Sequence, residues 1–448
     1  DSGYRRDNGS HASDGSGYRR TAGTGSGRRR ADYEVAYEPE DDAEANREES
    51  GYSRRDSGSG RQNGGRGALR DQERRKKKRR KRRIRRVLTI LLVIVLLLAL
   101  TGVGVYRWLG TQMAGSLDTS FAKTEVGINA GVTSDTAMQG KYTVAIVGVD
   151  TRDGSEFRGN SDTMILATVD TMARSVKLLS LYRDTYLDIN VGKGVYNKAN
   201  AAYAYGGALQ MLTMINRNMD LAVTDYITVD FEAVAVAVDD LGGITVDMTD
   251  EEVRWLNDNG WETSKVAGRN WETVPEGKGT YLLDGVQAVS YARIRKTTGN
   301  DFKRTSRQRL VIEKIISKAK KAGPFKLKQL VEDVFPLIST NMSEAEMFKL
   351  AGNFLLFGIT DTAGFPFAHM EEDIGTLDAV VPVTLDYNVK KLHEWLYNET
   401  SYTPTSTVEE ISNYIIKKSG YGTDSINKAV KYSESNANPD TGSESDGK

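Results

Sequence analysis

The sequence predicts an α/β fold, a β-sheet with helices packed on it in layers, preceded by a single transmembrane helix. Three observations predict it. From residue 141 onward, apolar strand-like segments alternate with amphipathic helix-like segments. A 20-residue stretch, 87–106, carries no charge. Residues 1–86 contain only Val35, Leu69 and Ile84 of the Val/Leu/Ile class against 13 glycines, too few to close a core.

The charge balance separates these parts. The 448 residues carry 61 Lys+Arg and 61 Asp+Glu, but residues 1–86 hold 25 basic and 15 acidic side chains, leaving 36 and 46 for the rest. A net +10 is thus followed by a net −10, which argues against an evenly mixed soluble enzyme. The absence of Cys excludes a disulfide scaffold, a Cys nucleophile, thiolate zinc sites and cysteine-ligated iron–sulfur clusters. His11, His369 and His393 are far apart in sequence and show no ligand spacing. Any metal is therefore expected to be a hard cation held by oxygen.

Residues 1–86 read as a disordered basic cytoplasmic region. The pentapeptide Ser-Gly-Tyr-Arg-Arg occurs at 2–6 and again at 16–20, and twelve of the thirteen residues 74–86 are Lys or Arg. Residues 87–106 follow at once, and a helix of that length spans about 30 Å, the thickness of a bilayer core. The basic flank is expected to stay cytoplasmic, giving a single-pass protein of a bacterial cell membrane with residues 107–448 outside. The same flank suits anionic membrane lipids. It carries no interleaved aromatic residues and abuts the membrane boundary, which disfavours nucleic acid.

An extracellular connector, 107–140, leads into a folded domain over 141–400. Strands are predicted at 142–150, 163–170 and 175–184, with a hairpin turn at 170–174. A helix at 198–219, a strand at 224–229 and a short helix at 231–240 come next, and Gly242-Gly243 punctuates entry into a strand at 244–248. Helices are predicted at 304–321, 324–335, 343–355, 386–397 and 408–417. Residues 401–432 read as a helical extension and 433–448 as a disordered tail.

Four clusters concentrate charge at element ends. Asp150 and Arg152 follow the first strand, and Asp162, with Arg158 before it, opens the second, so the two carboxylates can meet where neighbouring strands end. Paired carboxylates there either hold a divalent cation or cap loops. Arg183 closes the apolar row of LSLYRDT beside Asp184, either as a salt bridge or as a planar fork for a diphosphate. In YNKANAAYAYGG, Gly206 and Gly207 mark tight positions in a helix or at a break. In LLDGVQAVSYARIRKTTGNDFKRTSRQR, an extended backbone would point Arg293 and Arg295 the same way, while Arg304 and Gln308 share a helix face. So many basic groups at one place suit a polyanion. No G-x-x-x-x-G-K-S/T motif is present.

GVDTR, NSDT, LYRDT, NKANAAYAYGG, VDDLGGITVD, LDGVQAVSYARIR and DFKRTSRQR occur in this order, and in them the chain resembles the LytR-CpsA-Psr family. The resemblance is strong over 141–310 and reaches residue 398. It implies an α/β/α layered sandwich with a central mixed β-sheet. It also implies an enzyme that moves a polyprenyl-pyrophosphate-linked anionic glycopolymer, teichoic acid or capsule-like, onto a peptidoglycan sugar hydroxyl and releases polyprenyl phosphate. Asp150 and Asp162 match the acidic positions associated with Mg²⁺. Arg183, Arg293, Arg295 and Arg304 match pyrophosphate contacts, Gln308 matches a polar site residue, and Arg152 and Arg158 join the same pyrophosphate-binding set. Asn160 departs from the pattern, which often has Arg there.

The implied lipid also needs an apolar groove, for which Ile146, Ile165, Leu166, Leu209, Leu212, Ile215 and Val236 are candidates. Two other classes of function compete: a non-catalytic cell-wall polymer-binding protein, and a membrane-tethered transcriptional regulator acting through residues 1–86.

Overall fold

The computed structural model describes residues 90, 101–105, 107–108, 110–112, 115–149, 159–190, 192–295 and 300–437, the side chains of residues 300, 301 and 437 apart. The region 1–86, most of the stretch 87–106, Asp150, Arg152, Arg158 and residues 438–448 lie outside them. Among the described residues, no helix is long and apolar enough to cross a membrane.

Twelve strands and ten α-helices are described. The strands are β1 (Lys141–Val149), β2 (Ser161–Asp170), β3 (Ser175–Leu181), β4 (Tyr186–Asn190), β5 (Val195–Lys198), β6 (Asp225–Val229), β7 (Ile244–Met248), β8 (Gly279–Leu283), β9 (Ile338–Thr340), β10 (Gly358–Phe365), β11 (His369–Ile374) and β12 (Leu377–Pro382). The helices are α1 (Ala201–Met219), α2 (Phe231–Asp240), α3 (Asp250–Val266), α4 (Gly285–Arg293), α5 (Asn300–Lys321), α6 (Pro324–Val334), α7 (Glu344–Leu356), α8 (Leu385–Tyr397), α9 (Ser406–Ser419) and α10 (Ile426–Ala437).

Six strands form the central sheet in the order β10-β3-β2-β1-β6-β9. It is mixed: β1 runs antiparallel to β2 and parallel to β6, while β3 runs antiparallel to β2 and parallel to β10. Met164 to Val169 of β2 are all buried, as a strand covered on both faces requires. Alternation then assigns the faces. Ala145, Val147 and Leu166 pack with Met211 of α1, Leu392 of α8 and Ile411 of α9; Val144, Ile165 and Leu178 pack on the other side with Ala233 of α2 and Leu350 of α7. Helices on both faces make a layered α/β fold. A third apolar cluster joins the hairpin β7–β8 to α3 and α4.

The hairpin turn after β2 forms as read: Asp170 Oδ1 accepts from the Met172 and Ala173 amides at 2.9 and 2.8 Å. Gly206-Gly207 is a break inside α1, with Gly207 at φ 63°. Helix α1 starts only at Ala201, because Val195–Lys198 pairs with β4 as a strand. Helix α10 runs to Ala437, five residues into the segment read as a disordered tail. One local reading is corrected. Arg293 and Arg295 do not share a strand: Arg293 is the last residue of α4, and the chain turns out of the helix at Ile294.

Candidate active site

Strand β1 ends at Val149, paired with Ser161, the residue before Asp162. The amide of Ser161 donates to the Asn200 carbonyl at 3.3 Å and the Asn200 amide donates to the Arg183 carbonyl at 2.9 Å. Backbone bonds thus bring the start of β2, the turn after β3 and the start of α1 to one end of the sheet. That is the work of the NKANAAYAYGG segment.

Asp162 is the centre of charge there. Arg183 Nη1 donates to Asp162 Oδ1 at 2.7 Å, Arg295 Nη2 stands 3.5 Å from Oδ2, and Arg304 Nη2 donates to the Asp162 carbonyl oxygen at 3.5 Å. Burial by itself would push the Asp162 carboxyl up. The hydrogen bond from Arg183 and the charges of Arg183, Arg304 and Arg295 outweigh it and hold the carboxyl below its ordinary value. Asp162 is therefore an anion in the folded protein at neutral pH. Arg183 Nε lies 3.3 Å from Asp184, which also meets Lys198 Nζ at 3.2 Å, so the salt bridge read for the LYRDT arginine is present, and its Nη1 is turned to Asp162.

Asp162, Arg293, Arg295, Arg304 and Gln308 line one cavity of about 270 Å³. Arg304 is 2 % exposed, an unusual depth for a guanidinium. Gln308, one turn further along α5, has a buried Oε1 with no hydrogen-bond partner among the described residues. Arg293 is oriented by Thr263 Oγ1 at 2.8 Å, by Glu262 at 3.5 Å and by the ring of Phe231, 4.7 Å below its guanidinium. The buried Arg307 serves the frame instead: its Nε donates to Glu252 at 2.9 Å and its Nη1 to the Ile294 carbonyl at 3.1 Å, fixing the exit from α4.

A second cavity, of about 360 Å³, adjoins the first and is lined almost wholly by apolar side chains between the sheet and α2, α4, α5 and α7. Gly148, Thr163, Phe231, Arg293 and Gln308 line both. Of the seven apolar candidates from the sequence, only Ile146 lines this space. Leu166, Leu212 and Ile215 belong to the closed core on the opposite face of the sheet, where α1 packs, and Ile165 is closed core on the near face. Leu209 borders a separate cavity beside Phe121 and Tyr226, and Val236 is buried in α2 without reaching the space. Sequence reasoning also missed Thr163, Phe231, Trp255, Asn259 and Glu262 on the polar walls. Trp255, Asn259 and Glu262 recur at three- and four-residue spacing, which marks one helix face.

The LytR_cpsA_psr family model matches residues 110–371. The chain belongs to this family. The LytR_cpsA_psr chain is 29% identical over 260 residues to the polyisoprenyl-teichoic acid–peptidoglycan teichoic acid transferase TagU of Halalkalibacterium halodurans, covering 57% of this chain and 80% of that one. It is 31% identical over 248 residues to the TagU of Enterococcus faecalis, covering 54% and 76%. Among solved structures it is similar to a LytR-CPS2A-psr family protein, YwtF (TagT), with bound octaprenyl pyrophosphate lipid; the TM-score is 0.41 at 19% identity, over 64% of this chain and 93% of that one.

Proposed function

We propose that this LytR_cpsA_psr protein transfers a polyprenyl-pyrophosphate-linked anionic glycopolymer, teichoic acid or capsule-like, to a peptidoglycan sugar hydroxyl. The observation that carries the reading is the shared wall between an arginine-lined polar cavity and an apolar one. A diphosphate head and a long hydrocarbon tail on one molecule match that pair of spaces, and the names of the TagU relatives support the same donor class.

In the reaction, an acceptor hydroxyl oxygen attacks the phosphorus on the polymer side of the diphosphate. The bond from that phosphorus to the bridging oxygen breaks, and polyprenyl phosphate leaves with the bridging oxygen and its electron pair. The hydroxyl proton passes to a carboxylate or water. Arg183, Arg293, Arg295 and Arg304 offset the charge on the non-bridging oxygens, and Gln308 positions the head at the mouth of the apolar space.

Oxygen donors suit Mg²⁺, and the Asp162 carboxylate is ionised, is 26% exposed on its side chain and has lone pairs beyond those facing Arg183 and Arg295. Asp162, with Asp150, would hold the ion, which when bound would neutralise phosphate charge. Arg152 and Arg158 complete the proposed pyrophosphate set. The cellular setting follows from the same reading: residues 87–106 cross a bacterial membrane, the basic run 74–86 meets anionic lipid inside, and the domain works outside on peptidoglycan.

The test supplies purified chain with lipid-linked donor, a peptidoglycan oligomer and Mg²⁺, and identifies polymer-linked product by mass. Arg183→Ala and Arg293→Ala should each lower the rate at least tenfold, since loss of one charge-assisted contact is worth about 1.4 kcal/mol or more. Donor that binds but is recovered intact would instead establish a passive wall-polymer receptor.

A further inference from the structure

We propose that Asp135, His393 and Glu399 form a binding site for a first-row divalent transition ion, Zn²⁺ foremost, on the face of the sheet opposite the apolar cavity. One ligand atom from each of the three side chains lies within 4.8 Å of the others. Asp135 comes from the turns before β1, His393 from the last turn of α8, and Glu399 from the residues just beyond that helix. The sequence hid the site because its ligands are 258 and 6 residues apart and only folding brings them together.

His393 supplies the independent indication of a ligand. Its side chain is fully buried, with 0% exposed. Its Nε2 lies 3.3 Å from the Met219 carbonyl oxygen, which can only accept, so Nε2 carries the hydrogen and the neutral ring leaves Nδ1 with a bare lone pair. Nδ1 has no hydrogen-bond partner among the described residues and faces Glu399 Oε2 at 3.8 Å; that oxygen is buried without a partner as well. A ring nitrogen bonded to a backbone carbonyl, with the other nitrogen turned toward carboxylates, is the outer-shell arrangement of metal-bound histidines. Stacking of Tyr402 on the imidazole, with ring centroids 3.4 Å apart, holds the ring in place.

The carboxylates point the same way. Neither Asp135 nor Glu399 meets a Lys or Arg within 4.0 Å among the described residues: Asp135 Oδ1 accepts from the Ala137 amide at 2.8 Å, and the one ionisable nitrogen within that distance of Glu399 is the buried imidazole. Zinc bonds of about 2.0–2.2 Å place any two ligands at most roughly 4.4 Å apart, so side-chain adjustments of under about 1 Å close the site. One imidazole with two carboxylates leaves room for water and favours Zn²⁺ or Mn²⁺ over the all-oxygen preference of Mg²⁺ and Ca²⁺. The ion would clip the segment before β1 to the end of α8, away from the transfer site.

The full chain in detergent, stripped by chelator and dialysed against Zn²⁺ with excess Mg²⁺, should retain one equivalent of zinc by elemental analysis. Glu399→Gln and Asp135→Asn should each weaken that binding at least tenfold while Asp162→Asn keeps it. Equal zinc in wild type and Glu399→Gln would overturn the site and leave a carboxyl pair sharing a proton only; loss of the same equivalent in Asp162→Asn would assign the ion to the transfer site and overturn it too. Should neither ligand variant fold, Co²⁺ substitution in the wild type decides: strong visible absorption from a four-coordinate nitrogen–oxygen site supports it, and the weak spectrum of the hydrated ion overturns it.

Discussion

Arg304 and Gln308 occupy one face of α5 four residues apart, and this spacing alone places both in the polar cavity. Charge made the arginines legible in the sequence. The walls contributed by Phe231, Trp255 and Asn259 were not legible, because an aromatic or amide on a helix is ordinary until its neighbours are known. The same holds for His369, which is 1% exposed, set against Phe302 with ring centroids 4.6 Å apart, and bonded through Nδ1 to the Pro366 carbonyl at 3.0 Å. Burial lowers its pKa to about 4 from 6.5, against the opposing pull of the Pro366 bond. The unfolded chain therefore takes up a proton that the folded one refuses between pH 6.5 and about 4. Stability should fall through that window as pH falls, by on the order of 2–3 kcal/mol from this residue. Urea unfolding at pH 7 and 4.5 measures it; His369→Phe should lose less on acidification than wild type, and equal losses would refute the assignment.

Elements with strong period-two or period-3.6 patterns, such as β1 to β3, α2 and α8, stand in the structure within a few residues of their predicted limits. Helices α3 and α4 escaped notice although their starts carry capping boxes, Thr249 with Glu252 and Asp284 with Gln287. Their interiors are polar or small, so periodicity was weak where the caps were strong. Strands β4, β5 and β8 to β12 were missed because they are short or their apolar residues come from only part of each strand. Helix α4 carries Arg293 and packs on α2, which carries Phe231, through Gly285. A Cβ at Gly285 would sit inside the van der Waals envelope of the Ala235 backbone carbonyl. Gly285→Ala should therefore cost about 1–3 kcal/mol of stability, read by denaturant melts, and lower transfer by separating Phe231 from Arg293.

Across the described residues the sheet divides two tasks: α1, α8 and α9 pack an apolar core on one face, while α2, α4, α5 and α7 leave an apolar cavity of about 360 Å³ on the other. Sequence patterns located apolar residues but could not say which face would stay open, since open and closed apolar walls share a composition. Ala237 lines the open side and is 8% exposed. Ala237→Phe should raise KM for a long-chain prenyl donor at least tenfold and leave a short-chain donor nearly unaffected; equal effects on both would separate the cavity from the tail. The shared wall at Thr163, Phe231, Arg293 and Gln308 has a kinetic consequence. In the proposed reaction, spent carrier keeps the same hydrocarbon as fresh donor and has lost the polymer with one phosphate, so the apolar cavity holds both alike and the polar cavity must tell them apart. Polyprenyl phosphate should accordingly act as a competitive product inhibitor, and its escape back to the bilayer should limit steady-state turnover.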